Sequence, residues 1–361
     1  MLAQICPTMK VLYISFILLI VISCQSNVDQ SEQVIVRELD WENSSINGQA
    51  SLRGLYALND SIIWTSGSGG YVGLSQDGGS TWLDLSIPNA TNKDFRDIHA
   101  FRQNEAVAMS AGDSAEFYYT SNAGKTWELV YKNYQTGVFF DGMDFWDDGT
   151  GLAFSDPVDG KLVFAKSEDF GKTWTDFIPS NLPPAISGEG GFAASGTSIV
   201  CFGESSVVIG LGAPEKVRIF RSDDKGENWE AIDTDLQTGE YFGIYTMAKN
   251  AGGQLLALGG SFSSAQDGER SAALSDSNGT QWQVKSEGMP NVYISGLAFH
   301  ATLEVGVAVG TEGSFMSNDN GSTWTKFSDE SFNSVMITEN KVIAVGSRGK
   351  VGRFLIVNPA N

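Results

Sequence analysis

Asp97 in RDIHAF, Asp141 and Asp144 in DGMDFWDDG, Asp156 in SDPVDG and Glu189 in SGEGG are five carboxylates that a fold could gather. Any two of them facing one cleft could act as general acid and base, or acid and nucleophile, in glycoside cleavage. The same group could equally grip a cation or a basic peptide. Arg53, Arg96, Ser110, Asp113, Asp159, Glu312 and Arg348 could furnish the rim of that cleft. Each residue also has a plainer reading. Arg96 beside Asp97 suits an ion pair between neighbouring elements, and Asp156-Pro157 and Asp159-Gly160 suit turns.

Other chemistry is excluded. Two histidines cannot build a histidine-rich metal site, and His99 in IHAF and His300 in LAFH suit a core or a channel wall. The triplets Gly124-Lys125-Thr126 and Gly171-Lys172-Thr173 lack the glycine that a phosphate loop needs, since Tyr119 and Lys166 stand there. GSGGYVG lacks dinucleotide spacing and leads into a strand. SDDKG and SNDNG lack the twelfth-position glutamate of a calcium loop. No cofactor or metal is expected. The formal charge of −20 repels nucleic acid and anionic headgroups.

The elements that would position these residues announce themselves by repetition. SQDGGSTW, TSNAGKTW, SEDFGKTW, SDDKGENW, SDSNGTQW and SNDNGSTW end on tryptophans 82, 127, 174, 229, 282 and 324, at gaps of 45, 47, 55, 53 and 42 residues. A period of that size signals propeller blades of four strands. In each turn an acidic or amide side chain, Asp77, Asn122, Asp169, Asp224 or Asp319, can accept backbone N–H groups ahead of it. The glycine two residues on permits positive φ. Trp82, Trp127, Trp174, Trp229, Trp282 and Trp324 then each tuck an indole beneath the turn, burying on the order of 200 Å².

Short apolar runs fill the units, and GFAASG reads as the innermost strand of the fourth. The tail after Trp324 supplies three strands without a box. VIVRELDW (34–41) provides the fourth, with Trp41 in the box-tryptophan place. The expectation is therefore an all-β, seven-bladed β-propeller of four-stranded blades, spanning 34–361 and closed by an N-terminal strand joining the C-terminal blade. Closure would remove two sheet edges.

Residues 1–24 read as a lipoprotein signal peptide, with Met9 as a possible true start. Lys10 precedes thirteen mostly apolar residues, and Val21-Ile22-Ser23-Cys24 resembles a bacterial lipobox. Lipidation of Cys24 would anchor a monomeric domain to a membrane of the bacterial cell envelope, periplasmic or surface-facing, with 25–33 as linker. Cys201, in SIVCFG, reads as a buried hydrophobe.

The turn motif resembles the Asp box, or BNR repeat. The unit of strand, G-x-G-x-x, box and tryptophan resembles the photosystem II stability/assembly factor propellers and their bacterial relatives over nearly the whole mature chain. RGLYALND…WTSGSGGYVGLSQDGGSTW, FRDIHAF…AVAMSAGD, GMDFWDDGTGLAFSDPVDG and GEGGFAASGTSI are similar to a bacterial lipoprotein subgroup, whose members carry oxidoreductase or glycosyl hydrolase labels. The resemblance implies a fold and says little about activity. The box also occurs in sialidases, xyloglucanases and sortilin-type receptors. No Arg-Ile-Pro of sialidases occurs here, one chain of this size holds one propeller where xyloglucanases use two, and the assembly factors' basic patch is replaced by an acidic balance. The reading is a membrane-anchored, non-catalytic propeller that binds a protein or a glycan on an acidic face. The alternative is a glycoside hydrolase using paired carboxylates there.

Overall fold

The computed structural model describes residues 40–46, 48–112 and 114–356, so Cys24 and Asp113 lie outside the described residues. Seven four-stranded antiparallel sheets make the predicted seven-bladed propeller, with almost no helix. Blades 1 to 6 run through residues 52–84, 94–133, 140–177, 199–233, 243–285 and 296–328, each ordered from innermost to outermost strand along the chain.

Blade 7 takes three strands from 334–355 and its outermost strand from Glu42–Ser45, paired antiparallel to Lys350–Leu355. The closing strand thus follows Trp41 instead of ending on it, and 34–39 lie outside the described residues. Trp41 sits where each box tryptophan sits, at the start of the outermost strand. Its indole N–H donates to Ser314 Oγ at 3.0 Å.

Seven apolar clusters hold the ring, each shared by two neighbouring blades, and the one between blades 7 and 1 closes it. The second strand of each blade packs on both sides, which explains why runs such as AVAMSA are apolar throughout.

In the six repeat turns the predicted carboxylate geometry recurs. Asp77 Oδ1 accepts the Thr81 N–H at 2.8 Å and its Oδ2 accepts the Thr81 hydroxyl at 2.6 Å. Ser75 Oγ accepts the Gly79 N–H at 2.7 Å, and Gly79 has φ of 83°. Asp169, Asp224 and Asp319 repeat these contacts, and Asn122 reproduces them with its amide. Five indole N–H groups donate to the turn glycine's carbonyl; Trp127 donates to Leu85 O of blade 1. The fifth turn departs in register. Ser277 stands at the expected acidic position, and Asp276 does the work, accepting the Thr280 N–H at 2.8 Å.

One predicted strand is corrected. The innermost strand of blade 4 is Ile199–Phe202, and GFAASG (191–196) instead enters the channel as a loop. Small side chains and a positive φ of 77° at Gly196 let it pass against the Asp97 carboxyl, where a Cβ would lie 2.2 Å from that group.

Candidate functional site

The innermost strands enter from one face, here the upper face, where the second and third strands of each blade are also joined. The repeat turns occupy the lower face. Arg53, Arg96, Asp141 and Glu189 lie at the upper mouth, and Asp97 and Asp144 lie deeper, on channel-facing strands of blades 2 and 3. Asp156 ends the second strand's buried stretch in blade 3. Asp159 forms an exposed hairpin turn with φ of 50°, Arg348 is exposed at φ of 58°, and Glu312 accepts from Gln266 on a distant hairpin. The gathered set is Arg53, Arg96, Asp97, Asp141, Asp144, Asp156 and Glu189; Asp159, Glu312 and Arg348 stand apart on separate loops.

The 191–197 loop plugs the upper mouth. Arg53 Nη1 donates to Ala194 O at 3.2 Å and Arg96 Nη1 to Ala193 O at 3.3 Å. Ser195 Oγ donates to Ser295 O of blade 6 at 2.7 Å, and Thr197 shares a hydroxyl contact of 2.7 Å with Thr246 of blade 5. Phe192 stacks on Tyr245 at a centroid distance of 3.9 Å.

The carboxylates are largely spent on this framework. Asp97 Oδ1 accepts Ile98 N–H and its Oδ2 accepts Met143 N–H, both at 2.8 Å. Asp144 Oδ1 accepts Phe145 N–H at 2.8 Å and Oδ2 accepts Cys201 N–H at 2.7 Å. Asp156 Oδ1 accepts Gly191 N–H at 2.9 Å. Glu189 is fully enclosed and holds Arg218 through both oxygens, with Nε to Oε1 at 2.7 Å. Asp141 keeps Oδ2 without a hydrogen-bond partner among the described residues.

Burial raises Asp97, Asp141, Asp144 and Asp156. Asp97 is pushed up to about 7, less the pull of its two amides and plus the nearby Asp144 charge. Asp144 rises to about 6, chiefly by burial. It keeps 28% of its side chain accessible, where it lines the channel cavity. Asp141 goes well above the carboxylate range through burial and the Asp156 charge. Burial drives His99 down to about 3, so its imidazole is neutral. The Cys201 thiol is pushed well up by burial, as suits a packing residue. His300 is held by its Nδ1, which accepts the Thr302 and Leu303 amides, a structural arrangement.

Two spaces remain open near these groups. On the upper face, a cleft of about 440 Å³ between blades 3, 4 and 5 is lined by Asp156, Phe192, Pro214, Glu240, Tyr241 and Phe242. Tyr241 and Phe262 stand 46% and 53% exposed beside it, with ring centroids 4.7 Å apart. Sequence reading missed this aromatic pair; the signal was two aromatics on upper loops of one blade. Below the plug, a channel cavity of about 240 Å³ takes lining residues from all seven innermost strands.

The chain matches no family model and no curated protein. Solved structures do align. YCF48 bound to a D1 peptide superposes with a TM-score of 0.63 at 15% identity, covering 90% of this chain and 98% of that one. Virginiamycin B lyase from Staphylococcus aureus gives 0.61 at 10% identity, covering 88% and 99%. The GH74 enzyme of Niastella koreensis gives 0.60 at 13% identity, covering 86% of this chain and 53% of that one. At these identities the likeness establishes the propeller alone, and its hosts include both a peptide-binding protein and enzymes.

Proposed function

We propose that this protein is a non-catalytic binding propeller, lipid-anchored at Cys24 in a bacterial cell envelope, that holds a protein segment in the upper cleft between blades 3 and 5. The observation that carries the reading is the occupancy of its carboxylates. Asp97, Asp144 and Glu189 are engaged by backbone amides or by Arg218 inside the framework. A general acid and base need a free pair of carboxyls, and each of these three spends both oxygens on the framework.

The cleft offers a different chemistry. Exposed aromatic faces at Tyr241 and Phe262 supply contact area at low conformational cost. Asp156 and Glu240 add negative charge at the same place. That combination suits an extended segment carrying a basic side chain beside an apolar one. The peptide-bound YCF48 structure shares this architecture, which supports a propeller of this kind taking a peptide. The chain is read as an Asp-box propeller of the assembly-factor type acting as a monomer.

The test is direct titration of defined peptides against the purified chain. Peptides pairing arginine or lysine with an aromatic should bind, weaken at high salt, and fail against a Tyr241→Ala, Phe262→Ala double variant. The hydrolase reading rests on one observation, the Asp156 carboxyl at the cleft with the buried Asp141 carboxyl near enough to feel its charge. Turnover in a glycan panel that vanishes in Asp156→Asn would replace the binding reading with that one. Metabolic labelling with palmitate, abolished by Cys24→Ala, tests the anchor.

A further inference from the structure

The channel cavity is closed above and open below. Its ceiling is Ser195-Gly196-Thr197, held by the Ser295 carbonyl and the Thr246 hydroxyl. On the lower side, Ile337 walls both this cavity and a larger space of about 890 Å³ that opens among Asn59, Gln103, His300 and Thr302. Anything that reaches the channel therefore comes from the face that carries the repeat turns.

The cavity wall is divided. Blades 4 to 7 present an arc that includes Val200, Met247, Leu297 and Met336, apolar but for Lys249 of blade 5. Blades 1 to 3 present Tyr56, His99 and Asp144 side by side, with Tyr56 and His99 ring centroids 4.2 Å apart and His99 Nδ1 4.0 Å from Asp144 Oδ1. Among the described residues, no hydrogen bond engages either His99 nitrogen or the Tyr56 hydroxyl, and both side chains are half-buried at the cavity wall. A mostly apolar pocket with a few convergent polar groups is the usual build of a small-molecule site.

Charge selects the ligand. Asp144 and Asp147 both place negative charge near the Tyr56 hydroxyl. Among the described residues no basic side chain pairs with Asp144. Lys249 lies at the lower rim, exposed, with Nζ 5.7 Å from the Phe202 ring, and Lys225 is engaged by Asp148. A neutral imidazole offers an acceptor and not a counter-charge. Held by two neutral amides, the Asp144 carboxylate still lacks a counter-charge, which a cation at its accessible side would supply.

We propose that the lower half of the channel binds a small organic monocation of the alkylammonium class. Its charged end meets Asp144, His99 and Tyr56, and its carbon chain lies on the apolar arc of blades 4 to 7. The rings of Tyr56 and His99 line the charged end with aromatic faces that favour a cation. This site shares no residue with the upper cleft and stands whether or not a peptide binds there.

Calorimetric titration of the purified chain with hexylammonium, hexanol and hexanoate tests it. Hexylammonium should bind one to one, hexanol at least about tenfold more weakly, and hexanoate not at all. Affinity should fall by about tenfold per pH unit below the Asp144 transition near 6. Ala248→Phe, which fills the cavity from the apolar side, should abolish binding. Asp144→Asn should weaken it by about tenfold or more, but that variant also disturbs the Phe145 and Cys201 amides. Tyr56→Phe, which removes only an unpartnered hydroxyl, is the second variant and should weaken binding severalfold with the circular dichroism unchanged. Hexanol binding as tightly as hexylammonium, tighter hexanoate, unaffected binding in Ala248→Phe, or no saturation by hexylammonium would each overturn the proposal.

Discussion

Asp97 and Asp144 lie on the innermost strands of consecutive blades, and each passes a hydrogen bond forward around the ring. Asp97 Oδ2 takes the amide of Met143 at 2.8 Å, the residue just before Asp144, and Asp144 Oδ2 takes the amide of Cys201 at 2.7 Å. Two carboxylates thereby stitch blades 2, 3 and 4 along the channel. Asn at position 97 would present an N–H to the Met143 N–H and leave that buried donor without an acceptor. Asp97→Asn should lower stability by about 1–3 kcal/mol, read as a lower urea midpoint at an unchanged slope. An unchanged midpoint would remove Asp97 from the inter-blade framework.

The same burial predicts an unusual pH profile. Asp97 and Asp144 titrate near 7 and 6 in the native chain, against 3.8 when unfolded. Between about pH 4 and pH 7 the native state keeps protons that the unfolded state has released, so these groups lose stability as pH rises. Asp141, raised further, acts in the same direction. His99 opposes them, because burial keeps it neutral while the unfolded imidazole still binds a proton up to about 6.5. Three carboxyls outweigh one histidine, so stability should fall from pH 4.5 to pH 7. Urea unfolding at intervals across that window checks the sign, and Asp144→Asn should flatten the slope.

Local chemistry was legible in the sequence and long-range pairing was not. The repeat turns could be read because carboxylate, glycine and tryptophan act within eight residues of one another. The channel position suggested for His99 could be read from IHAF for the same reason. Whether Asp97 or Asp144 served catalysis or architecture depended on amides 46 and 57 residues away, which no local pattern encodes. GFAASG looked like a strand because its composition is apolar, yet it carries the glycines and small side chains that a channel-filling loop needs. Ser195 within it bonds to Ser295, and Thr197 just after it to Thr246, both outside its own blade.

The fifth repeat turn separates residue type from register. Asp276, one position ahead of the expected site, accepts the Thr280 N–H at 2.8 Å and the Thr280 hydroxyl at 2.5 Å. Asp276→Ala should lower stability by about 1 kcal/mol, while Ser277→Ala should leave it within about 0.5 kcal/mol. Comparing the two in one denaturation series decides which residue closes the turn. A larger effect at Ser277 would return the turn to the regular register.

Ring closure depends on Trp41 more than on the short strand that follows it. Its indole lies among Phe332, Phe354 and Phe327 at centroid distances of 4.7, 4.9 and 5.6 Å, and its N–H reaches Ser314 of blade 6. The strand Glu42–Ser45 is exposed along its length and adds little apolar burial of its own. Trp41→Ala should cost about 3–5 kcal/mol, as for other large aromatics removed from a packed site. Loss of that anchor would also free the closing strand and bare the edge of Lys350–Leu355, a template for pairing with other chains. Thermal unfolding followed with light scattering should therefore show a lower midpoint and earlier aggregation in Trp41→Ala. Charge reversal at Glu42, which contacts Arg353 at an exposed position, should change neither by a measurable amount. Equal effects from the two variants would mean that the strand, and not the indole, closes the ring.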